Sequence, residues 1–314
     1  LKLQQLKNET ILILGGNGFL GASITRKVLN HSKRVHLVAR ESSNLLRIKD
    51  LTGNIEFHIG DLTDSIFFSQ LIKSIKPTII YYTVGAGSYN HQPDREFLFN
   101  NNLLCAHNLL MATISSSRCR IIYAGTSLEQ GKINQPMNEN GAPNPISCYG
   151  AMKAATNIMM MQAAIYENRA ITVLNPFAIY GVGEPQKRLI PTIIQSVLSN
   201  KELDLTTPGN VRDYIFVDDV ADAFLLASIT SASIAEKINI ANGVGISNEQ
   251  VVSVIEKLMQ TKIKVNIGTY EQRITDTNFW CADISKAKQI LGWQPKHTLE
   301  IGLKATIDWM TNEK

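Results

Sequence analysis

A glycine-rich turn constrains this chain more than any other feature. Gly15-Gly16-Asn17-Gly18-Phe19-Leu20-Gly21 follows directly on the apolar run Ile11–Leu14 and opens a stretch of helical length. In such a turn Gly15 makes the tight bend, Gly18 lets the backbone approach a pyrophosphate, and Gly21 allows the helix to pack closely on the strand. The helix N-terminus then offers N–H donors and positive potential to phosphates. A glycine triplet by itself often marks only a turn, but between a first strand and a first helix it points to a dinucleotide site.

The surrounding pattern agrees. Compact apolar runs recur at residues 11–14, 35–38, 55–59, 78–82, 120–123 and 171–174, bounded by Gly, Asn, Asp or Pro. Strands of a parallel sheet buried on both faces have this form. Residues 18–29, 65–75, 95–115 and 149–168 have helical length, so the first half reads as α/β, a doubly wound parallel sheet. After Asn175 the pattern is broken by Pro176, Gly181, Gly183, Pro185, Pro191, Pro208 and Gly209, and residues 299–310 form a closing helix. The expected organisation is a dinucleotide-binding domain over residues 8–175 and a smaller C-terminal lobe over residues 176–314. That lobe would cover the carboxyl ends of the strands, where ligands bind in such sheets, with about residues 211–241 returning to the main sheet.

Composition removes several alternatives. With 314 residues, 44% of them hydrophobic, the chain can bury a substantial core. Its net charge of +4 comes from Lys and Arg scattered among carboxylates, which does not describe a nucleic-acid groove. Cys105, Cys119, Cys148 and Cys281 show neither metal-ligand spacing nor the close pairing of a disulfide framework, so no metal site and a reduced, cytoplasmic setting are expected. No apolar run approaches the length of a membrane helix, and residues 1–9 lack the apolar segment of a signal peptide.

Cofactor choice should be made at the end of the second strand. NAD sites usually place an acid there for the ribose 2′-hydroxyl. This chain has Val38-Ala39-Arg40. The guanidinium of Arg40 would suit a 2′-phosphate, which indicates NADP(H) as the preferred cofactor with NAD(H) possible, unless Arg40 is simply a solvated loop residue. Asp61, at the end of the third strand, is either an acceptor for the adenine amino group or a turn-capping acid.

The reactive groups fall next. Tyr149 and Lys153 are spaced i and i+4 at the start of a helical run and share one face. A phenol is a poor acid or base at neutrality, and a neighbouring ammonium together with an oxidised nicotinamide favours its phenolate. Tyr149 then becomes a general acid/base, and Lys153 can also hold the nicotinamide ribose. The run Ile121-Ile122-Tyr123-Ala124-Gly125-Thr126-Ser127 brings a hydroxyl to the carboxyl end of the sheet, with Thr126 the better candidate by register and Ser127 the reserve.

Taken in order, residues 15–21, Gly60-Asp61-Leu62, Asn102, Thr126, Tyr149/Lys153, Asn175-Pro176-Phe177-Ala178-Ile179-Tyr180-Gly181, Arg212-Asp213-Tyr214 and Ala282-Asp283-Ile284-Ser285-Lys286-Ala287 resemble the extended short-chain dehydrogenase/reductase family over essentially the whole chain. The resemblance implies a Rossmann lobe for NAD(P), a lobe for a nucleotide-sugar substrate, and epimerase, dehydratase or keto-reductase chemistry. It places Asn17, Phe19, Leu20, Leu62, Val84 and Pro176 beside the cofactor. Asn102, or one residue earlier Asn101, would help position the active-site helix, and Arg212 and Arg273 would meet the substrate's phosphates, unless they are structural ion-pair partners.

Two departures bear on the reaction. Where Arg-Pro-Phe-Asn is common, this chain has Asn175-Pro176-Phe177-Ala178. Dehydratases usually follow the active-site threonine with Asp-Glu, whereas Thr126 is followed by Ser127-Leu128. With Arg40 indicating NADPH, the expected activity is reduction of a 4-keto-6-deoxyhexose nucleotide. The alternative is an NAD-dependent nucleotide-sugar epimerase, and a non-catalytic NADP(H)-sensing protein ranks lower. A two-fold homodimer through residues 95–115 and 149–168 is expected from the same resemblance.

Overall fold

The computed structural model describes residues 2–87, 94–116 and 119–312. Seven parallel strands form the main sheet: β1 (Ile11–Leu14), β2 (Val35–Ala39), β3 (Glu56–Ile59), β4 (Ile79–Tyr82), β5 (Arg120–Ala124), β6 (Ile171–Pro176) and, late in the chain, β10 (Lys237–Ile240). Their spatial order is β10-β6-β5-β4-β1-β2-β3, so the direction of winding reverses between β1 and β4 and opens a crevice at their carboxyl ends. The fold is the doubly wound Rossmann arrangement. Burial is complete in β1, β4 and β6, as apolar runs demand, but β3, at one edge of the sheet, leaves Ile59 54% exposed. The expectation of strands buried on both faces therefore fails at β3, whereas β10 at the other edge is covered.

Helix α1 (Phe19–Leu29) lies on one face with α7 (Val217–Ile229), and the two share a core that includes Ile13, Ile24, Val220 and Phe224. On the other face lie α2 (Ser65–Ile75) and a long helix made of α3 (Arg95–Leu98), a π-helical segment (Phe99–Leu104) and α4 (Cys105–Ala112). The π segment interrupts what the sequence presents as a single helix and holds Asn102. Beside it runs α5 (Cys148–Tyr166), with Met160 fully buried against β5 and β6 residues. Ser147 caps α5 by accepting from the Gly150 N–H, as short polar residues do at helix starts.

The remaining elements form a second core. Strands β7 (Ala178–Tyr180), β9 (Val211–Phe216) and β11 (Gly245–Ser247) make a small mixed sheet, and β8 (Leu203–Leu205) pairs with β12 (Val265–Ile267). Around them pack α6 (Leu189–Leu198), α8 (Asn248–Met259) and α10 (Leu299–Asn312), while α9 (Ser285–Leu291) rests against β10. The chain crosses between the two cores at β9–α7 and again after β10. Asp213 in β9, fully buried, fastens those crossings by accepting from the backbone N–H groups of Asn242, Gly243 and Ala282. Among the described residues no helix is long and apolar enough to cross a membrane.

Candidate active site

Two adjoining cavities occupy the crevice at the strand ends. The smaller, about 320 Å³, is lined by Gly15, Asn17, Arg40, Asp61 and Leu62, and the larger, about 550 Å³, by Phe19, Leu20, Gly21, Thr126, Ser127, Tyr149, Lys153, Pro176, Arg212 and Arg273. They share Gly18, Arg47, Thr83, Val84 and Gly85. A two-ended ligand can thus cross from one to the other over the glycine turn.

The turn has the shape a dinucleotide needs. Gly15 has φ +81°, a conformation that L side chains rarely adopt. A Cβ on Gly21 would sit 2.0 Å from the Gly15 carbonyl oxygen, so α1 can meet β1 only through glycine. Gly18 differs, since a Cβ there would meet the Gly15 oxygen at 3.1 Å and nothing else. The fold presses weakly on Gly18, and the space it leaves belongs to the cavities. Gly18 is also the N-cap of α1 and supplies no side-chain cap, which leaves the first helical N–H groups for a ligand. These residues fit the pyrophosphate of a nicotinamide dinucleotide.

At the adenosine end Arg40 is exposed on the cavity rim, and its backbone N–H donates to the Ser43 hydroxyl at 2.9 Å. Asp61 Oδ1 accepts from the Thr63 backbone and hydroxyl at 2.9 Å each, so it holds its own turn as well as lining the pocket. Asn17 makes one long contact to the Asn44 carbonyl at 3.4 Å. Asn102 is buried and clamps the loop after β4: its amide donates to the Ala86 and Leu98 carbonyls and its oxygen accepts from the Ala86 N–H. Asn101 bonds back only to the Phe97 carbonyl of its own helix. Asn102 thus ties its own helix, at Leu98, to Ala86 in the cavity loop.

Thr126, Tyr149 and Lys153 converge on the larger cavity. A Cβ on Gly150 would lie 2.7 Å from the Leu128 carbonyl oxygen, so the first turn of α5 packs directly on the short 3-10 turn that follows Thr126. Lys153, one turn later, is almost completely buried; its ammonium donates to the Ala124 carbonyl at 2.5 Å and stands 4.3 Å from the Tyr123 ring centroid. Burial lowers its pKa from 10.5 to about 7, with Glu129 pulling the other way. Ser127 accepts from the Trp280 indole N–H at 3.1 Å, so its hydroxyl is engaged by the second core.

Beneath this wall lies a polar network that sequence reasoning missed. Glu129 is fully buried; it accepts from Asn157 and Asn175 and pairs with Lys237 at 3.0 Å. Asn175 Oδ1 accepts in turn from the Thr126 backbone N–H at 3.1 Å. Neither Glu129 nor Asn157 matches any motif, and only the departure at Asn175 hinted at a rearrangement here. Arg47, also unnoticed, sits between the two cavities and donates to the Gly183 carbonyl at 2.7 Å.

On the substrate side, Arg212 is paired with Asp276 at 2.8 Å and also donates to the Thr275 carbonyl. Arg273 is more exposed, with its guanidinium 3.3 Å from the Tyr270 hydroxyl. Glu184 and Arg188 add a second ion pair on the cavity wall at 3.2 Å, and burial lifts the Glu184 pKa to about 7.

The fold and this crevice define a dinucleotide-dependent enzyme. Residues 11–241 match the family described as the NAD dependent epimerase/dehydratase family, and the chain belongs to it. It is 24% identical to the UDP-glucose 4-epimerase of Lactobacillus helveticus over 308 residues, covering 91% of this chain and 92% of that one. It is likewise 24% identical to the dTDP-glucose 4,6-dehydratase of Haemophilus influenzae, over 95% and 97% of the two chains. The solved structure of UDP-glucose 4-epimerase with UDP-glucose from Thermotoga maritima superposes with a TM-score of 0.86 at 25% identity, covering 96% and 99%.

The environment of Lys153 makes a pH prediction. Its pKa in the folded, cofactor-free protein is depressed to about 7, so between there and its ordinary value of 10.5 the unfolded chain holds more protons than the folded one. Stability should therefore rise with pH across that window, by at most about 1.4 kcal/mol per unit from this group. Urea unfolding of Lys153→Met beside the parent should show the parent gaining on the variant from pH 7 toward pH 10. Glu129→Gln removes the anion that raises the pKa and should move the start of the rise to lower pH. A difference independent of pH would refute this account of Lys153.

Proposed function

We propose that the enzyme interconverts nucleotide-linked hexoses that are epimeric at C4. The observation that carries this reading is the grouping of Thr126, Tyr149 and Lys153 on one cavity wall, with Ser127-Leu128 in place of an Asp-Glu pair directly after Thr126. The first acid after Thr126 is Glu129, and its oxygens are occupied by Asn157, Asn175 and Lys237 below the cavity floor. Relatives matched over more than nine-tenths of the chain are named as UDP-glucose 4-epimerases, which favours the epimerase over the expected keto-reductase. Arg40 had pointed to a reductase, but a 2′-phosphate contact bears on which dinucleotide binds, not on whether it is consumed.

When bound, the nicotinamide supplies the hydride acceptor and then the hydride donor. Tyr149 takes the proton from the sugar hydroxyl as the hydride leaves carbon, with Thr126 hydrogen-bonded to the same oxygen. Lys153 holds the ribose and, while protonated, favours the phenolate of Tyr149. Once the ketone has turned within the larger cavity, Tyr149 would return its proton to the sugar oxygen, so that the alcohol re-forms with the opposite configuration. Two electrons leave the sugar and two return, so no reductant is spent. Arg273 and, beside its ion pair with Asp276, Arg212 hold the diphosphate and anchor the intermediate while it turns.

The test uses UDP-glucose and UDP-galactose with the purified enzyme. Interconversion without net change in nicotinamide absorbance is expected, and Tyr149→Phe should lower turnover by roughly 10²–10⁴ while cofactor binding survives. Stoichiometric NADPH oxidation with a 4-keto sugar nucleotide, and no epimer exchange, would establish the reductase instead.

We further propose that the enzyme prefers NADP(H). Arg40 and Ser43 line the cavity just past the end of β2, where NAD sites usually carry an acid. A charge-assisted contact worth about 1.5–3 kcal/mol should make NADPH bind roughly 10- to 150-fold more tightly than NADH, and Arg40→Ala should weaken NADPH alone. Equal dissociation constants for the two would count against the pocket assignment.

Along α5 an exposed stripe runs through Ala151, Ala155, Ile158 (60% exposed), Ile165 (52%) and Tyr166 (79%), with Met111 of α4 and Ile114 in the turn after it also exposed. This apolar face suits a two-fold partner of the same kind. Light scattering at micromolar concentration should give twice the chain mass, and a monomeric mass would remove the dimer.

A further inference from the structure

One titratable cluster lies away from the crevice. His36 is the second residue of β2, and it pairs in register with Glu56, the first residue of β3; His58 follows Glu56 by two and shares its face of the sheet. His36 Nδ1 lies 3.1 Å from His58 Nε2, and the Glu56 carboxylate oxygens stand 3.4 Å from His36 Nδ1 and 3.8 Å from His58 Nε2. Among the described residues this is the group of three His, Cys, Asp or Glu side chains whose ligand atoms all lie within 4.8 Å of one another.

We propose that His36, Glu56 and His58 form a zinc-binding site on the edge of the main sheet. Zinc takes imidazole nitrogen at about 2.0–2.1 Å and carboxylate oxygen at about 2.0–2.2 Å in tetrahedral array, which sets neighbouring ligand atoms about 3.3–3.5 Å apart. The three observed separations bracket that spacing. A small closing movement of the Glu56 side chain, which is 68% exposed, completes it. The histidine side chains, at 13% and 20% exposure, are held by the sheet, so the two nitrogens are arranged before the ion arrives. Solvent supplies the fourth ligand on the Glu56 side. Two nitrogens and one carboxylate favour zinc over magnesium or calcium, which prefer all-oxygen sets.

The consequence is mechanical. β3 has a strand neighbour on one side only, and an ion shared by β2 and β3 clamps that edge. The site lies on the strands that lead to Arg40 and Asp61, yet none of its three residues lines either cavity.

The test is calorimetric titration of the untagged, chelator-treated full chain with Zn²⁺. One ion per chain with a dissociation constant in the micromolar range or below is expected, with a rise in Tm that grows with zinc concentration. His36→Gln and His58→Gln should each weaken binding at least tenfold, and the double variant should lose the Tm rise while keeping its far-ultraviolet circular dichroism and its dinucleotide affinity. Co²⁺ in place of Zn²⁺ should give the intense visible absorption of four-coordinate cobalt in the parent only. Absence of saturable zinc binding, or equal affinity in parent and double variant, overturns the proposal.

Discussion

A single buried carboxylate organises the reactive wall. Removing Glu129 from water costs several kcal/mol, which the protein offsets with the Lys237 ammonium and the amides of Asn157 and Asn175. Those partners come from the consecutive elements α5 and β6 and from the distant β10, so the carboxylate gathers them around the turn after β5. Asn175 then hands the arrangement to Thr126 by accepting its backbone N–H, and Glu129 is the anion that opposes the loss of the Lys153 proton. Asn175 lies so close to β5 that a Cβ on Gly125 would fall 1.9 Å from its side-chain oxygen. Gly125 is therefore tied to Asn175, and the common arginine at that position would need a different floor under the site.

The glycines of the first turn divide into two kinds. Gly15 and Gly21 are demanded by the polypeptide itself, one by a positive φ and the other by the carbonyl it would strike. Gly18 faces a weaker internal demand, and a ligand's close approach explains it best. Fold and function are thus written into neighbouring positions for different physical reasons, which is why a glycine pattern read without its structural context says so little.

Most of what was legible in the sequence is local. Apolar runs gave the six strands of the first half because a doubly covered sheet needs near-continuous hydrophobic segments, and the i, i+4 spacing gave the shared face of Tyr149 and Lys153. β10 escaped that reading since Lys237-Ile-Asn-Ile is only half apolar; its Asn239 is buried because its amide donates to the Met137 carbonyl. Glu129, Arg47 and the His36–Glu56–His58 cluster were illegible for a related reason. Each acquires meaning through a partner distant in sequence, fixed by strand register or by the approach of the second core. The cysteines gave no sign of that cluster, which the cross-strand pairing of β2 and β3 assembles.

The choice between epimerase and reductase turns on what the site does with its dinucleotide. A reductase must exchange it every turnover, while an epimerase gains by keeping it. Arg47 spans the wall between the two cavities and donates to the Gly183 carbonyl of the second core, so a dinucleotide lying across both cavities would pass beside this contact. One such hydrogen bond contributes only about 0.5–1.5 kcal/mol, too little to hold a cofactor by itself. The α1 N-terminus and the Arg40 rim would add interactions of similar or greater size along the length of a dinucleotide. Retention would then be a sum over a long cradle, as the proposed epimerase requires.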